Sequence, residues 1–264
     1  MLLFSSPLLR LLRHAAQNEL HSHIPLVPVI VAYLLYLGRP RPAASYQSST
    51  GGAVLLAGIA LAALAAAAFG RGSLSPNDDL ALTALAFVSV IAAGGFLFLG
   101  AKWMWATAFP MAFLIFMVPM PDRMAVWFEN ASMLASADVS AWLIKVSGTP
   151  NLRDGTLFQL PGVTIRVAQE CSGIRSSWVL FITSLLISNM FLKSPWRRLA
   201  LVAFVIPLGV VRNGFRILVI ALLCVHVGPQ MIDSPIHHQG GPLFFGLSLG
   251  PLFLLSWWLR RQDQ

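Results

Sequence analysis

Residues 199–228 read LALVAFVIPLGVVRNGFRILVIALLCVHVG, and the fold turns on whether this stretch crosses a membrane once or twice. As one α-helix it is about 45 Å long, too long for a single straight span and too short for two good spans with a loop. Its interior carries Pro207, Arg212, Asn213 and Arg216. Six more apolar stretches, bounded by Gly, Pro or charge, surround it: 24–38, 51–69, 80–100, 104–120, 176–192 and 242–259. The first is short and is expected to begin nearer Leu20. Of the 264 residues, 57% are hydrophobic and 11% charged, whereas a soluble domain carries about a quarter charged residues. The expected fold is therefore an all-α polytopic membrane protein of about seven transmembrane helices, or eight if the long stretch divides. Two cysteines exclude a disulfide-stapled secreted fold, and the abundance of apolar residues excludes a disordered chain.

Charge decides how the long stretch is read. With one long kinked helix, one side of the membrane receives Arg39, Arg41, Lys102, Lys193, Arg197, Arg198, Arg260 and Arg261 against the single acid Asp263. The other side receives the remaining nine of the ten acids, from Glu19 to Asp233. Basic residues near span ends mark the cytoplasmic side, so the C-terminus is expected inside and residues 121–175 outside. Dividing the stretch would instead put Asp233 inside and Arg260 and Arg261 outside. The net charge of +8 thus reads as an orientation signal. No basic run is long enough for a nucleic-acid patch, and no nucleic-acid partner is expected.

The whole chain, 1–264, is read as a single membrane domain without a repeat or linker. Residues 1–20 mix leucines with Pro7, Arg10, Arg13 and His14, which suggests an interfacial helix or a reduced N-terminal span. Residues 122–147 alternate apolar side chains with Glu129, Asn130, Asp138 and Lys145, the composition of an amphipathic helix at the outer interface. Beyond Gly148 the pattern becomes extended, and Pro161-Gly162 divides two period-two runs. A small outer-face β-hairpin is expected there, so that residues 122–170 form an amphipathic helix plus hairpin leading into Cys171, Ser172 and Gly173.

Cys171 lies where the hairpin ends and a span begins. Backbone N–H groups at a helix N-terminus stabilise a thiolate and make such a thiol a nucleophile, although a lone cysteine is more often a small apolar filler. Cys224, inside LVIALLCV, fits that description. Arg212 and Arg216 share a helix face at i, i+4 with Asn213 beside them. An arginine at membrane depth signals a function or a buried partner, the alternative being a snorkelling side chain. His237 and His238 precede the last span on the same outer side as Cys171. Besides this pair, only Ser22-His23 supplies an outer imidazole, and the outer carboxylates are dispersed, so no metal site and no cofactor are expected. A thiol, an arginine and a histidine at one face match acyl transfer: the imidazole moves the proton and the guanidinium stabilises thiolate or oxyanion. A second class remains open, a small transporter or lipid-binding scaffold in which the arginine pair holds an anionic group.

The chain resembles the exosortase/archaeosortase family of integral-membrane cysteine transpeptidases. The segment Val167-Ala168-Gln169-Glu170-Cys171-Ser172-Gly173-Ile174-Arg175 looks like the family's nucleophile motif, and Asn213-Gly214-Phe215-Arg216-Ile217 like its Asn-x-x-Arg-Ile segment. His237 with Gly241 matches the family's third motif, with His238 as the alternative. Ser22-His23-Ile24-Pro25-Leu26-Val27-Pro28 and Val118-Pro119-Met120-Pro121 are similar to two further elements. The resemblance implies catalytic Cys171, Arg216 and His237. The implied substrates are envelope proteins ending in a Pro-Glu-Pro-type motif, a transmembrane helix and a basic tail. A Cys thioester would pass to an outer-face acceptor, such as a glycolipid or polysaccharide, or to water. The implied location is the cell (inner) membrane, with the active site on the outer or periplasmic face and lipid around the spans.

Overall fold

The computed structural model describes residues 4–38, 48–70, 72–167, 173–234 and 240–263. Its chain divides into two compact units, Met1–Ala125 and Val126–Gln264. The protein is predominantly helical and polytopic. Among the described residues six helices are long and apolar enough to cross a membrane, and a bent pair, Ala108–Met117 with Asp122–Val146, makes a seventh if taken as one span.

In the first unit, α1 (Ser5–Gln17) buries Leu11 and Ala15 against Ile24 and Ala84. Then follow α2 (Leu26–Gly38), α3 (Thr50–Phe69) and α4 (Pro76–Phe98). Ala60 and Ala63 of α3 meet Ala86 of α4, and such small side chains let two apolar helices approach closely. The start of α4 is well specified: the Ser75 hydroxyl accepts the Asp78 N–H at 3.0 Å, Pro76 follows the cap, and Asp78 and Asp79 face the positive helix end.

The stretch 104–120, expected as one span, is broken into α5 (Ala101–Ala106), α6 (Ala108–Phe113) and a 3-10 turn, Leu114–Met117. Pro110 explains the break, because it offers no N–H to the Ala106 carbonyl and its ring crowds that position. The chain then passes through Val118-Pro119-Met120-Pro121-Asp122, whose prolines leave only three backbone donors. All three are satisfied: Val118 donates to Ile115 O at 2.9 Å, Met120 to His21 Nε2 at 3.1 Å and Asp122 to Asp78 Oδ1 at 2.9 Å. Asn77 Nδ2 donates to both Met120 O and Asp122 Oδ1 at 2.8 Å. A buried backbone donor without a partner is costly, so these side chains hold the segment in its extended form.

In the second unit, α7 (Asp122–Val146), most of which belongs here, turns Ser136, Ala137, Ser140 and Ile144 inward. An antiparallel sheet follows, with order β1 (Leu152–Asp154), β2 (Leu157–Leu160), β3 (Val163–Arg166). It has one strand more than the expected hairpin. The period-two run gives β2 and β3, which pair Phe158 with Ile165 and turn at Pro161-Gly162, where Gly162 has φ +78°. The added β1 has no buried residue and so leaves no alternating signature; its Arg153 pairs with Asp138 of α7 at 2.7 Å.

The remaining elements are α8 (Ile174–Phe191), α9 (Pro195–His226) and α10 (Gly241–Arg261). The decisive stretch 199–228 is thus one helix up to His226, continuous through Pro207. Its length is used in two parts. Leu201 and Val205 pack with Leu180, Ile187, Leu252 and Leu259 of α8 and α10. Farther along, Ile217, Ile220, Ala221 and the buried free Cys224 pack against the sheet and α7. The second part therefore buries one face in a protein core.

At the other end, Asp263 ties the end of α10 to the α8–α9 turn. Its carboxylate accepts the Lys193 N–H at 2.8 Å and the Ser194 N–H at 3.5 Å, and it pairs with Arg197. The Lys193 N–H, with the Arg197 side chain and the Ser194 N–H, holds this carboxyl below its usual range against the opposing effect of desolvation. A carboxyl lowered in the folded state adds stability above the ordinary carboxylate range, and that stability is lost as pH falls through the folded value. Detergent-solubilised wild-type protein should therefore melt higher than Asp263→Asn near neutrality, and the two melting curves should converge in acid; a constant difference down to acid pH would contradict the clamp.

Candidate active site

One turn of α9, from Arg212 to Ile217, gathers the described site residues of the second unit. By Arg212, 17 residues beyond Pro195, the helix has risen about 26 Å, close to the roughly 27 Å length of the 18-residue α8. That places Arg212 beside the first residues of α8. Gly173, the N-cap of α8, has φ +71°, a conformation that glycine adopts without the cost a side chain incurs. Its space is also restricted: a Cβ there would lie 2.9 Å from Asn213 Cγ and Oδ1 and 3.1 Å from Arg212 Nη2. Arg212 Nη2 donates to Gly173 O at 3.0 Å and to Ser177 Oγ at 3.1 Å. Arg212 and Asn213 are buried, at 8% and 2% exposure.

The close fit extends around the helix. A Cβ on Gly209 would meet Ser177 Oγ at 2.7 Å, and one on Gly214 would meet Val139 Cγ1 at 2.7 Å. Two glycines of α9 therefore let α8 and α7 approach its backbone from different sides. Ser140 of α7 donates to Ser136 O at 2.6 Å and reaches Gly214 O at 3.3 Å.

Arg216 is placed differently from Arg212. It lines a small pocket together with Val167, Arg166, Asn213, Ile217 and Ile220. Val167, the residue after β3, is buried and donates to Thr156 O at 2.9 Å. Phe215, between the two arginines, stacks edge-on against Phe244 in the first turns of α10, with centroids 6.3 Å apart.

Cys171 and Ser172, with Glu170 before them, and His237 and His238 lie outside the described residues. The chain on either side of them is described. Segment 168–172 leaves from Val167, at the Arg216 pocket, and ends at Gly173, against Arg212 and Asn213. Segment 235–239 ends at Gly240, and α10 then packs Phe244 on Phe215. Arg212, Asn213, Arg216 and Gly173 are thus together. His23 belongs to the first unit, where it engages the backbones of Leu20 and Phe116.

His21 is a residue that sequence reasoning missed. It is 2% exposed, accepts from Met120 N–H at 3.1 Å through Nε2 and contacts His14 Nε2 through Nδ1 at 3.2 Å. Because Nε2 accepts, the proton of a neutral His21 resides on Nδ1 and is donated to His14. A signal existed in Val118-Pro119-Met120-Pro121: alternating prolines leave isolated N–H groups that need side-chain acceptors.

The helices and this turn define a polytopic, mostly helical integral membrane protein whose candidate site is built on one polar turn of its longest helix. The family model described as Transmembrane exosortase (Exosortase_EpsH) matches residues 15–254. The chain belongs to that family. No curated protein and no solved structure matches it.

Proposed function

We propose that the protein is a membrane cysteine transpeptidase or endopeptidase that cleaves C-terminal sorting signals of exported envelope proteins. The observation carrying this reading is that Val167 and Gly173, which flank the Cys171 segment in the chain, lie against the Arg212–Ile217 turn of α9, and that Phe244, seven residues after His237, packs on Phe215 of the same turn. Family membership supports the same reaction class.

In this mechanism the Cys171 thiolate attacks the carbonyl carbon of the scissile peptide bond, and a tetrahedral oxyanion forms. Arg216, on the pocket beside Val167, stabilises the negative charge as it moves from sulfur to oxygen. His237, or His238 in its place, gives its proton to the leaving amine as the C–N bond breaks. The released fragment keeps the signal's transmembrane helix and basic tail. A hydroxyl or amine of an outer-face acceptor, such as a glycolipid or polysaccharide, or a water molecule then attacks the thioester, giving its proton to the now neutral imidazole, and Cys171 leaves as thiolate. The reaction takes place on the outer face of the cell membrane, with the C-terminus in the cytoplasm. In support, Arg197 and Arg216 lie 19 residues apart on α9, about 28 Å, so the basic end bound by Asp263 and the Arg216 turn are separated by about one hydrocarbon thickness.

The test is co-expression with a candidate substrate that carries a C-terminal tag after its basic tail. Loss of the tag and a hydroxylamine-sensitive enzyme–substrate adduct are expected. Intact substrate with no adduct, across substrates of the tripartite type, would overturn the proposal.

A further inference from the structure

Three donors converge on the Gly173 carbonyl: Ser177 N–H at 3.0 Å, Ser176 Oγ at 3.2 Å and Arg212 Nη2 at 3.0 Å. A carbonyl oxygen has two lone pairs, so its capacity is fully used. The three bonds do different work. Ser176 and Ser177 belong to α8 itself, so their bonds preserve the shape of the turn but travel with the helix. Arg212 alone among the three comes from α9. It ties the turn to the helix that carries Asn213 and Arg216.

We propose that Arg212 is a positioning residue: through the Gly173 carbonyl it sets the register between the turn leading into α8 and the Arg216 turn of α9. This rests on Cys171 as nucleophile, since Gly173 is two residues after it in the chain. The two arginines, equivalent by spacing, thus divide the work, Arg212 holding backbone and Arg216 facing the pocket. A buried guanidinium at this depth is costly, and a neutral side chain could fill the same space. What it adds is a strong charge-assisted bond to a carbonyl and a permanent positive charge near the nucleophile segment. Both bonds to Gly173 and Ser177 leave from one nitrogen, so a lysine, whose ammonium ends one bond short of that nitrogen on a flexible stem, keeps the charge and approaches both acceptors.

The experiment compares Arg212→Lys, Arg212→Gln and Arg212→Met in a Cys224→Ala background, which leaves Cys171 as the only thiol. Processing of a tagged substrate, substrate co-purification and the pH dependence of Cys171 alkylation are measured. A misplacement of about 1 Å costs roughly 100-fold in rate, so Arg212→Met should lose about that factor while retaining substrate. Arg212→Lys should stay within about tenfold of wild type. The alkylation midpoint should rise in the two neutral variants and stay in place in Arg212→Lys, which a purely structural role would not produce. Wild-type processing by folded Arg212→Met would overturn the proposal, as would a 100-fold loss in folded Arg212→Lys. The lysine result decides the matter if the neutral variants fail to fold. Cys171→Ala run alongside separates the two ideas: if it still processes, the nucleophile reading fails; if it is inactive and Arg212→Met is not, only the positioning role fails.

Discussion

Membranes carrying Cys171→Ala or Cys171→Ser are expected to leave a co-expressed sorting-signal substrate entirely unprocessed. Alanine removes the attacking atom. Serine keeps the shape, but its hydroxyl does not ionise near neutral pH, and the proposed mechanism requires an anionic sulfur as the attacking atom. Enzymes that lose their nucleophile fall by roughly 10⁶-fold, so no tail-free product should be seen within the lifetime of the culture. Cys224→Ala is the matching control. Cys224 is 2% exposed within the cluster formed by α7, α9 and the sheet, and it should process normally. If the arginines instead held an anionic lipid or solute, both Cys171 variants would be silent. Retained processing in either variant would exclude the thioester mechanism.

Gly173→Ala should be nearly as severe, although it removes no functional group. A left-handed backbone at an alanine costs about 1–2 kcal/mol, and the added methyl would lie 2.9 Å from Asn213 Cγ and Oδ1. Neither side can yield cheaply, since Asn213 is buried on α9 and Gly173 O is held by Arg212. The turn must shift, and with it the two residues leading back to Cys171. We expect processing to fall by about 100-fold or more, with a lower melting temperature that reflects the backbone cost. Gly155→Ala serves as comparison: it has φ +58° at the turn between β1 and β2 and open space at its Cβ. It should incur a similar backbone cost while leaving processing within a few-fold of wild type. Equal processing by the two alanine variants would refute the role assigned to the Gly173 contact.

Much of the architecture was legible in composition and charge. The apolar stretches of α2, α3, α4, α8, α9 and α10 appear because lipid and protein core select the same residues over about 20 positions. Charge asymmetry also gave reason to read 199–228 as one helix, and the structure shows α9 continuous over that region. The stretch 104–120 misled because hydropathy is blind to a single proline, yet Pro110 alone accounts for the break at Thr107. β1 was missed because a strand with both faces exposed has no period to detect.

By itself the sequence determined what depends on each residue's average surroundings: the helical membrane class, the length and unity of α9, the alternating β2–β3 run, and the ordered motifs around Cys171, Asn213-Arg216 and His237. The tertiary structure alone decided which of two arginines faces the pocket and which binds backbone, where the excess length of α9 finds its core, and that His21 holds Met120. Those outcomes depend on partners distant along the chain. Arg212 and Gly173 are 39 residues apart, and His21 and Met120 are 99 apart. Hydropathy and helical period describe how a residue meets lipid, water or core, but a hydrogen bond also needs a specific acceptor at about 3 Å, and only packing brings one there.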